Sequence, residues 1–314
     1  MKFVTFDQLN RLIGANLHRL DADIDLIVGV PRSGLMAGML VALQKNLPIT
    51  DLDGLREDRI KATGTTRPRA DWIRSVAEAR HILVVDDSIS TGEALARARA
   101  EVQALGLPAR VTYLAVIALP TNFRAPDLYF KIVNHPRLFE WNYMHHWALK
   151  HACVDIDGVL CPDPGLRDND DGPRYQRFLE QAPPRLLPTK PVGMIVTSRL
   201  EKYRAATEDW LARHEVEYDQ LVMLQGMTAE ERRRSGGHAR FKAEVFRQSP
   251  HSVFIESDYE QAVEICRLAG RPVFSVGNST LVEPEGLGRH VQNLARDWRI
   301  TARQVLRKWR SRLS

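Results

Sequence analysis

The residues with chemistry in them fall into two acidic clusters, each placed where an apolar run ends. In the first, Ile82-Leu83-Val84-Val85 runs into Asp86 and Asp87. Ser88-Ile89-Ser90-Thr91-Gly92 follows, and an Ala-rich helix is expected from about Glu93. A strand feeding a small-residue loop at a helix N-terminus makes an anion site, because free backbone N–H groups and the helix dipole converge there. Carboxylates just ahead of such a loop do not suit a phosphate. They suit sugar hydroxyls or hydrated Mg²⁺. A ligand carrying a ribose and a phosphate meets both demands. In the second cluster, Ala152-Cys153-Val154 leads into Asp155-Ile156-Asp157-Gly158. Two carboxylates two residues apart at a strand end repel each other unless a cation sits between them.

Other segments must position these groups. Ile24 to Val30 is a continuous apolar run, expected as a buried parallel strand. It ends in Pro31-Arg32-Ser33-Gly34, ahead of a helix rich in Leu, Met and Ala to about Gln44. This is a second strand–loop–helix anion site, with an arginine in it. Phe6 to Leu20 has helical apolar spacing, Ala94 to Leu105 reads as a helix closed by Gly106, and Val111 to Leu119 as a further buried strand. Asp51 to Trp72 is charged and poor in apolar residues, the composition of a loop, and Arg59 and Lys61 lie within it. Phe139 to Trp147 gathers four aromatic residues and His145 and His146 near a domain end.

The segment from His81 to Leu95, with the Pro31–Gly34 loop ahead of it, resembles the phosphoribosyl pyrophosphate (PRPP) motif of the type I phosphoribosyltransferases. The resemblance implies that Asp86 and Asp87 hold the ribose hydroxyls. It implies that Ser88, Ile89, Ser90, Thr91 and Gly92 hold the 5-phosphate, and that Arg32, Ser33 and Gly34 hold the pyrophosphate. Asp51 to Trp72 would be the family's mobile catalytic loop, with Arg59 and Lys61 as its contacts. Trp141, Tyr143 and His145 would form a hood over the acceptor. The general base for transfer is open among Asp51, Asp53 and the His145/His146 pair.

The second half resembles the haloacid dehalogenase (HAD) phosphatases. Asp155-x-Asp157-Gly matches their first motif, and Met194 to Arg199 is a strand ending in hydroxyls, as the second requires. Lys242 is the candidate third-motif lysine, with Lys202 as its competitor. Val253 to Asp258 is a strand ending in acids. The resemblance implies that Asp155 attacks phosphorus, that Asp157 is the acid and base, and that Thr197, with Ser198 as the alternative, and Lys242 steady the phosphoryl oxygens. Mg²⁺ would be held by Asp155, the carbonyl of Asp157 and an acid of the Glu256/Asp258 pair. Only Cys161 to Lys190 separates the first two motifs, room for a small cap at most.

The whole chain has 314 residues, a net charge of +5 and three cysteines without metal-ligand spacing. Two domains are expected in an α/β chain, each with a mainly parallel sheet flanked by helices. The first is a type I phosphoribosyltransferase fold over 1–147, and the second a HAD-like Rossmannoid fold with a small cap over 148–290. A basic amphipathic C-terminal helix fills 291–314. No run is long enough to span a bilayer, no signal peptide opens the chain, and the thiols suit a reducing cytoplasm. The expected place is the cytoplasm, and the C-terminal helix is expected either to dock on its own domain or to lie on the inner face of the membrane. Together the halves resemble dual-domain ribofuranosyltransferases of bacterial surface-polysaccharide assembly. These transfer phosphoribose from PRPP to a glycan and then remove the 5-phosphate. Expected partners are PRPP, Mg²⁺ in both domains, a lipid-linked glycan acceptor and a second copy of the chain, with no nucleic acid. The alternatives are a nucleobase phosphoribosyltransferase fused to a nucleotidase, and a PRPP-binding regulator.

Overall fold

A computed structural model describes residues 1–61, 72–165, 167–168, 171–225, 237–288 and 290. The chain divides into two compact units: Lys2–Arg137, and Met1 with Leu138–Ser314. The expected amphipathic helix over 291–314 and the arginines Arg232 to Arg234 lie outside the described residues. The segment from Leu138 to Trp147, read from the sequence as the end of the first domain, groups with the second unit. The architecture is α/β with mainly parallel sheets flanked by helices.

In the first unit, β1 (Lys2–Val4) precedes α1 (Phe6–Asn16), which a Thr5–Gln8 capping box starts. Five strands then form one parallel sheet: β2 (Leu26–Gly29), β3 (Ile49–Asp51), β4 (His81–Ser88), β5 (Arg110–Ala118) and β6 (Leu128–Ile132). Their spatial order is β3-β2-β4-β5-β6. β4 is central, and its residues from His81 to Asp87 are buried, which is why it reads as an unbroken apolar run. It extends past the apolar run through Asp86, Asp87 and Ser88, so the two acids are strand residues. α2 (Ser33–Lys45) follows β2, and α4 (Glu93–Ala104) follows β4. The charged segment starting at Asp51 opens as a short helix, α3 (Leu52–Arg56), rather than a loop. Asp51 caps it by accepting from the Gly54 N–H at 2.7 Å.

β7 (Arg137–Phe139) spans the division between the units, and short 3₁₀ turns lead from it to β8 (Ala152–Val154) in the second. β9 (Met194–Leu200), β10 (Leu221–Leu224), β11 (Val253–Glu256), β12 (Val273–Ser275) and β13 (Thr280–Val282) complete a six-stranded sheet. Its order is β10-β9-β8-β11-β12-β13, parallel except for the last pair. Between β8 and β9 lies a single helix, α5 (Pro173–Gln181), packed through Tyr175 and Leu179 on α6 (Arg204–Arg213). α7 (Gly237–Gln248) and α8 (Tyr259–Ala269) cover the sheet and share a core with Cys153, Val196 and Phe254.

In each sheet the chain turns back on itself at one place, between β2 and β4 in the first and between β8 and β11 in the second. An open parallel sheet leaves a crevice there, outside the carboxyl ends of its strands. Both acidic clusters sit at these crevices.

Candidate functional site

In the first unit the crevice is bounded by the loops after β2 and β4. Gly34 at the start of α2 lies so close to β4 that a Cβ there would stand 2.8 Å from the Val85 carbonyl oxygen and 3.0 Å from an Asp86 carboxylate oxygen. Glycine is what allows the two loops to meet. Asp86 and Asp87 are both buried. Burial and the neighbouring Asp87 push the Asp86 carboxyl up to about 8. Ser88 is half-buried, Ile89 buried, and Ser90 and Thr91 exposed at the mouth. Arg32 is exposed, and Ser33 half-buried. The structure therefore brings together Arg32, Ser33, Gly34, Asp86, Asp87 and Ser88 to Gly92 at one sheet edge.

Arg59 and Lys61 are exposed and have partners within their own segment. Arg59 pairs with Glu57 at 2.7 Å, and Lys61 with Asp51 at 3.5 Å. Asp51, one of the general-base candidates, is taken up as a helix cap, and the Gly54 N–H holds its carboxyl below the usual range. Residues 62–71 of the expected mobile loop lie outside the described residues.

In the second unit Asp155 follows β8, and Glu256 ends the neighbouring β11. Lys242 reaches across from α7. Its Nζ donates to Asp155 Oδ2 and to Glu256 Oε2, both at 2.7 Å, and approaches Gln261 Oε1 at 3.4 Å. All three charged groups are buried. Burial alone would depress the ammonium of Lys242, but Asp155 and Glu256 override it and raise it. Burial pushes the Asp155 carboxyl up, and Glu256 and Asp157 add to this, while Lys242 opposes them. Lys202, the competing lysine, pairs instead with Asp171 at 3.1 Å and stays half-exposed.

Asp157 is gripped by Arg199, whose NH2 lies 2.7 Å from Oδ1 and whose Nε lies 3.1 Å from Oδ2. Arg199 is itself buried. Gly158 has φ +76°, and a Cβ there would lie 2.3 Å from Ser257 Oγ. The glycine thus lets the turn close on Ser257, whose hydroxyl donates to the Asp157 carbonyl at 3.3 Å. Thr197 is fully buried, and its Oγ1 accepts from the Arg199 N–H. Ser198, not Thr197, lines the cavity above Asp155, so the sequence's second choice of hydroxyl is the one facing that space. The cavity measures about 220 Å³ and is also lined by Asp163 and Tyr175 from the small insert.

Of the acid pair Glu256 and Asp258, Glu256 is the buried one beside Lys242. Asp258 caps α8 by accepting from the Gln261 N–H at 2.8 Å. The donor set is all oxygen and carries more acids than bases, and burial followed by Asp157 and Glu256 raises Asp163 as well. Such a site fits a hard divalent cation, with Asp155, Glu256, Asp258 and the Asp157 carbonyl as the groups to hold it. Among the described residues, the grouping of three side chains with ligand atoms within 4.8 Å of one another is elsewhere: Asp21, Asp23 and His81. There both nitrogens of the buried His81 ring are occupied, by Asp23 at 2.8 Å and Thr112 at 2.9 Å.

Trp141, Tyr143 and His145 belong to the second unit. Trp141 stacks on Phe139 at 4.8 Å, Tyr143 is buried edge-on against Phe274, and His145 Nδ1 is paired with Thr189 at 3.0 Å. Burial pushes the Tyr143 phenol up to about 12. The sequence reading missed Arg199, Asp163, Tyr175 and Gln261 beside the second cluster. Arg199 carried a signal, since it directly follows the hydroxyl pair; the others stand in no motif.

No protein-family model matches the chain, and the search of curated proteins found no similar sequence. Solved structures with similarity include the purine phosphoribosyltransferase of Pyrococcus horikoshii Ot3, 23% identical over 44% of this chain and 91% of that one, with a TM-score of 0.33. The Helicobacter pylori xanthine-guanine-hypoxanthine phosphoribosyltransferase is 14% identical over 45% and 90%, with a TM-score of 0.32. The orotate phosphoribosyltransferase of Aeropyrum pernix is 17% identical over 40% and 70%, with a TM-score of 0.27. Among the described residues no helix is long and apolar enough to cross a membrane.

Proposed function

We propose that the chain performs two consecutive reactions. It transfers a 5-phosphoribosyl group from PRPP to a glycan hydroxyl, then removes the 5-phosphate to leave a ribofuranosyl residue. The observation that supports this reading is the coexistence of two acidic clusters at two switch points: Asp86 and Asp87 ahead of the Ser88–Gly92 loop, and a buried Asp155–Lys242–Glu256 cluster.

In the transfer, Asp86 and Asp87 hold the ribose hydroxyls and the Ser88–Gly92 loop holds the 5-phosphate through the N–H groups of Ser90, Thr91 and Gly92, the Ile89 N–H being donated to the Ile117 carbonyl. The loop with Arg32 takes the pyrophosphate. The C1–O bond to pyrophosphate breaks, positive charge develops on the ring, and the acceptor oxygen bonds to C1 as its proton passes to the departing pyrophosphate. Asp86 and Asp87 hold the ribose ring in place while that charge develops. In the hydrolysis, an Asp155 oxygen bonds to phosphorus as the bond to the sugar oxygen breaks. Lys242 and Ser198 hold the phosphoryl oxygens. Asp157, fixed by Arg199, gives a proton to the leaving sugar oxygen and then takes one from a water, whose oxygen bonds to phosphorus as the bond from Asp155 to phosphorus breaks. A bound Mg²⁺ would supply Lewis-acid neutralisation of phosphate charge at both sites. The single described helix of the insert, α5, supports an acceptor as long as a glycan, because a small insert covers little of a substrate. The reading places the chain in surface-polysaccharide synthesis, in the cytoplasm at the membrane's inner face, where residues 291–314 would meet a lipid-linked acceptor.

The test incubates the full chain with Mg²⁺, PRPP and panels of glycans and nucleobases, with mass detection. Asp155→Asn should yield a glycan heavier by phosphoribosyl, and wild type one heavier by ribosyl. Transfer to a nucleobase alone would overturn the glycan acceptor. Pyrophosphate release indifferent to any acceptor would leave a PRPP hydrolase.

A further inference from the structure

We propose that Arg137 is the positioning residue of the phosphate loop, holding Ser88–Gly92 so that its N–H groups face the ligand; this rests on the phosphoribosyl reading above. Arg137 is 1% exposed. Its guanidinium donates to three backbone carbonyls: Ile89 at 2.6 Å, Ala118 at 3.3 Å and Val133 at 3.2 Å. Ile89 follows the end of β4, Ala118 ends β5, and Val133 follows β6. One planar fork therefore straps three successive strand ends at the carboxyl edge, the edge that carries the crevice.

The consequence for the loop lies in peptide geometry. A trans peptide points its C=O and N–H in opposite directions. With the Ile89 carbonyl drawn inward to Arg137, the Ser90 N–H is directed outward. Asn122 Nδ2 draws in the Ser90 carbonyl in the same way, which turns the Thr91 N–H outward. The Ser90 hydroxyl is in turn held against His135 Nε2 at 3.3 Å. Among the described residues the N–H groups of Ser90, Thr91 and Gly92 have no protein acceptor. Successive outward N–H groups form an anion-binding concavity. Beneath it sits a cation that burial lowers only to about 10, with Asp87 opposing the fall, so it stays charged at neutral pH. In a low-dielectric site that charge acts on a bound phosphate with little screening.

The experiment separates the two ends of the donor. Full-length wild type, Arg137→Met and Arg137→Lys are titrated calorimetrically with ribose 5-phosphate and, separately, with pyrophosphate, both with Mg²⁺. Thermal melts are recorded for each. Arg137→Met should weaken ribose 5-phosphate by about tenfold or more, the scale of one or two lost charge-assisted hydrogen bonds. Pyrophosphate, held by the other loop, should change by less than about twofold. Lysine keeps the charge but not the fork, so it should recover only part of the loss. Equal weakening of both ligands would reduce Arg137 to a structural residue, and no weakening of either would overturn its role. If the Met variant does not fold, the Lys variant is judged by the same ratio between ligands. A wild-type chain that binds neither ligand overturns the phosphoribosyl reading itself, and the inference with it.

Discussion

At the scale of single residues, burial sets the behaviour of the acids. Asp86 is pushed up to about 8 by burial and by Asp87, whereas an unfolded aspartate titrates near 4. Between those values the native chain keeps a proton that the unfolded chain has lost. Stability should therefore fall as pH rises through that window. Urea midpoints between about pH 5 and pH 9 measure this, and Asp86→Asn should flatten the slope. The two lysines make a second contrast. Lys242→Met strands Asp155 and Glu256 without their cation, which should cost roughly 3–5 kcal/mol and abolish phosphate release. Lys202→Met removes a half-exposed pair with Asp171 and should cost less than about 1 kcal/mol, with activity retained. Thermal melts and a phosphate-release assay decide both.

At the scale of elements, each site is a strand end joined to a turn that must close tightly. Gly158 shows what such closure requires. An alanine there would take a left-handed φ and drive its Cβ into Ser257. Gly158→Ala should destabilise the second unit by roughly 1–3 kcal/mol. It should stop phosphate release while PRPP binding stays as in wild type. Loss of PRPP binding in that variant would contradict the independence of the two sites. Much of this layer was legible in the sequence, because a strand followed by a small-residue loop and a helix is written in neighbouring residues. The two loops and the Asp155-x-Asp157-Gly158 turn are of this kind. The short helix after Asp51 was not, since its cap lies in a stretch whose charges suggested only a loop. The grouping of Leu138 to Trp147 also escaped the sequence. Aromatic residues near a domain end say nothing of which core they will join.

At the scale of the whole molecule, the two units have separate cores and separate crevices. The chemistry should therefore divide between chains. An equal mixture of Asp87→Asn and Asp155→Asn proteins, given Mg²⁺, PRPP and the acceptor, should form the ribosyl product that neither makes alone. Mass detection of the acceptor reads this, and phosphoribosyl product that accumulates unchanged in the mixture would show that the intermediate does not pass between molecules.

By itself the sequence determined the parts whose chemistry depends on residues adjacent in the chain. These are the acid pair ahead of the Ser88–Gly92 loop, the arginine-bearing loop before α2, and the paired acids after β8. The tertiary structure alone decided which distant groups meet them. Lys242 rather than Lys202 reaches Asp155, and Ser198 rather than Thr197 faces the cavity. Glu256 takes the buried place and Asp258 the cap. Arg199 grips Asp157, and Arg137 holds the carbonyl of Ile89. The physical reason is strand order. Parallel sheets place β4 beside β2 and β8 beside β11 by crossovers that no local pattern records, and only that adjacency brings buried charges within hydrogen-bonding distance.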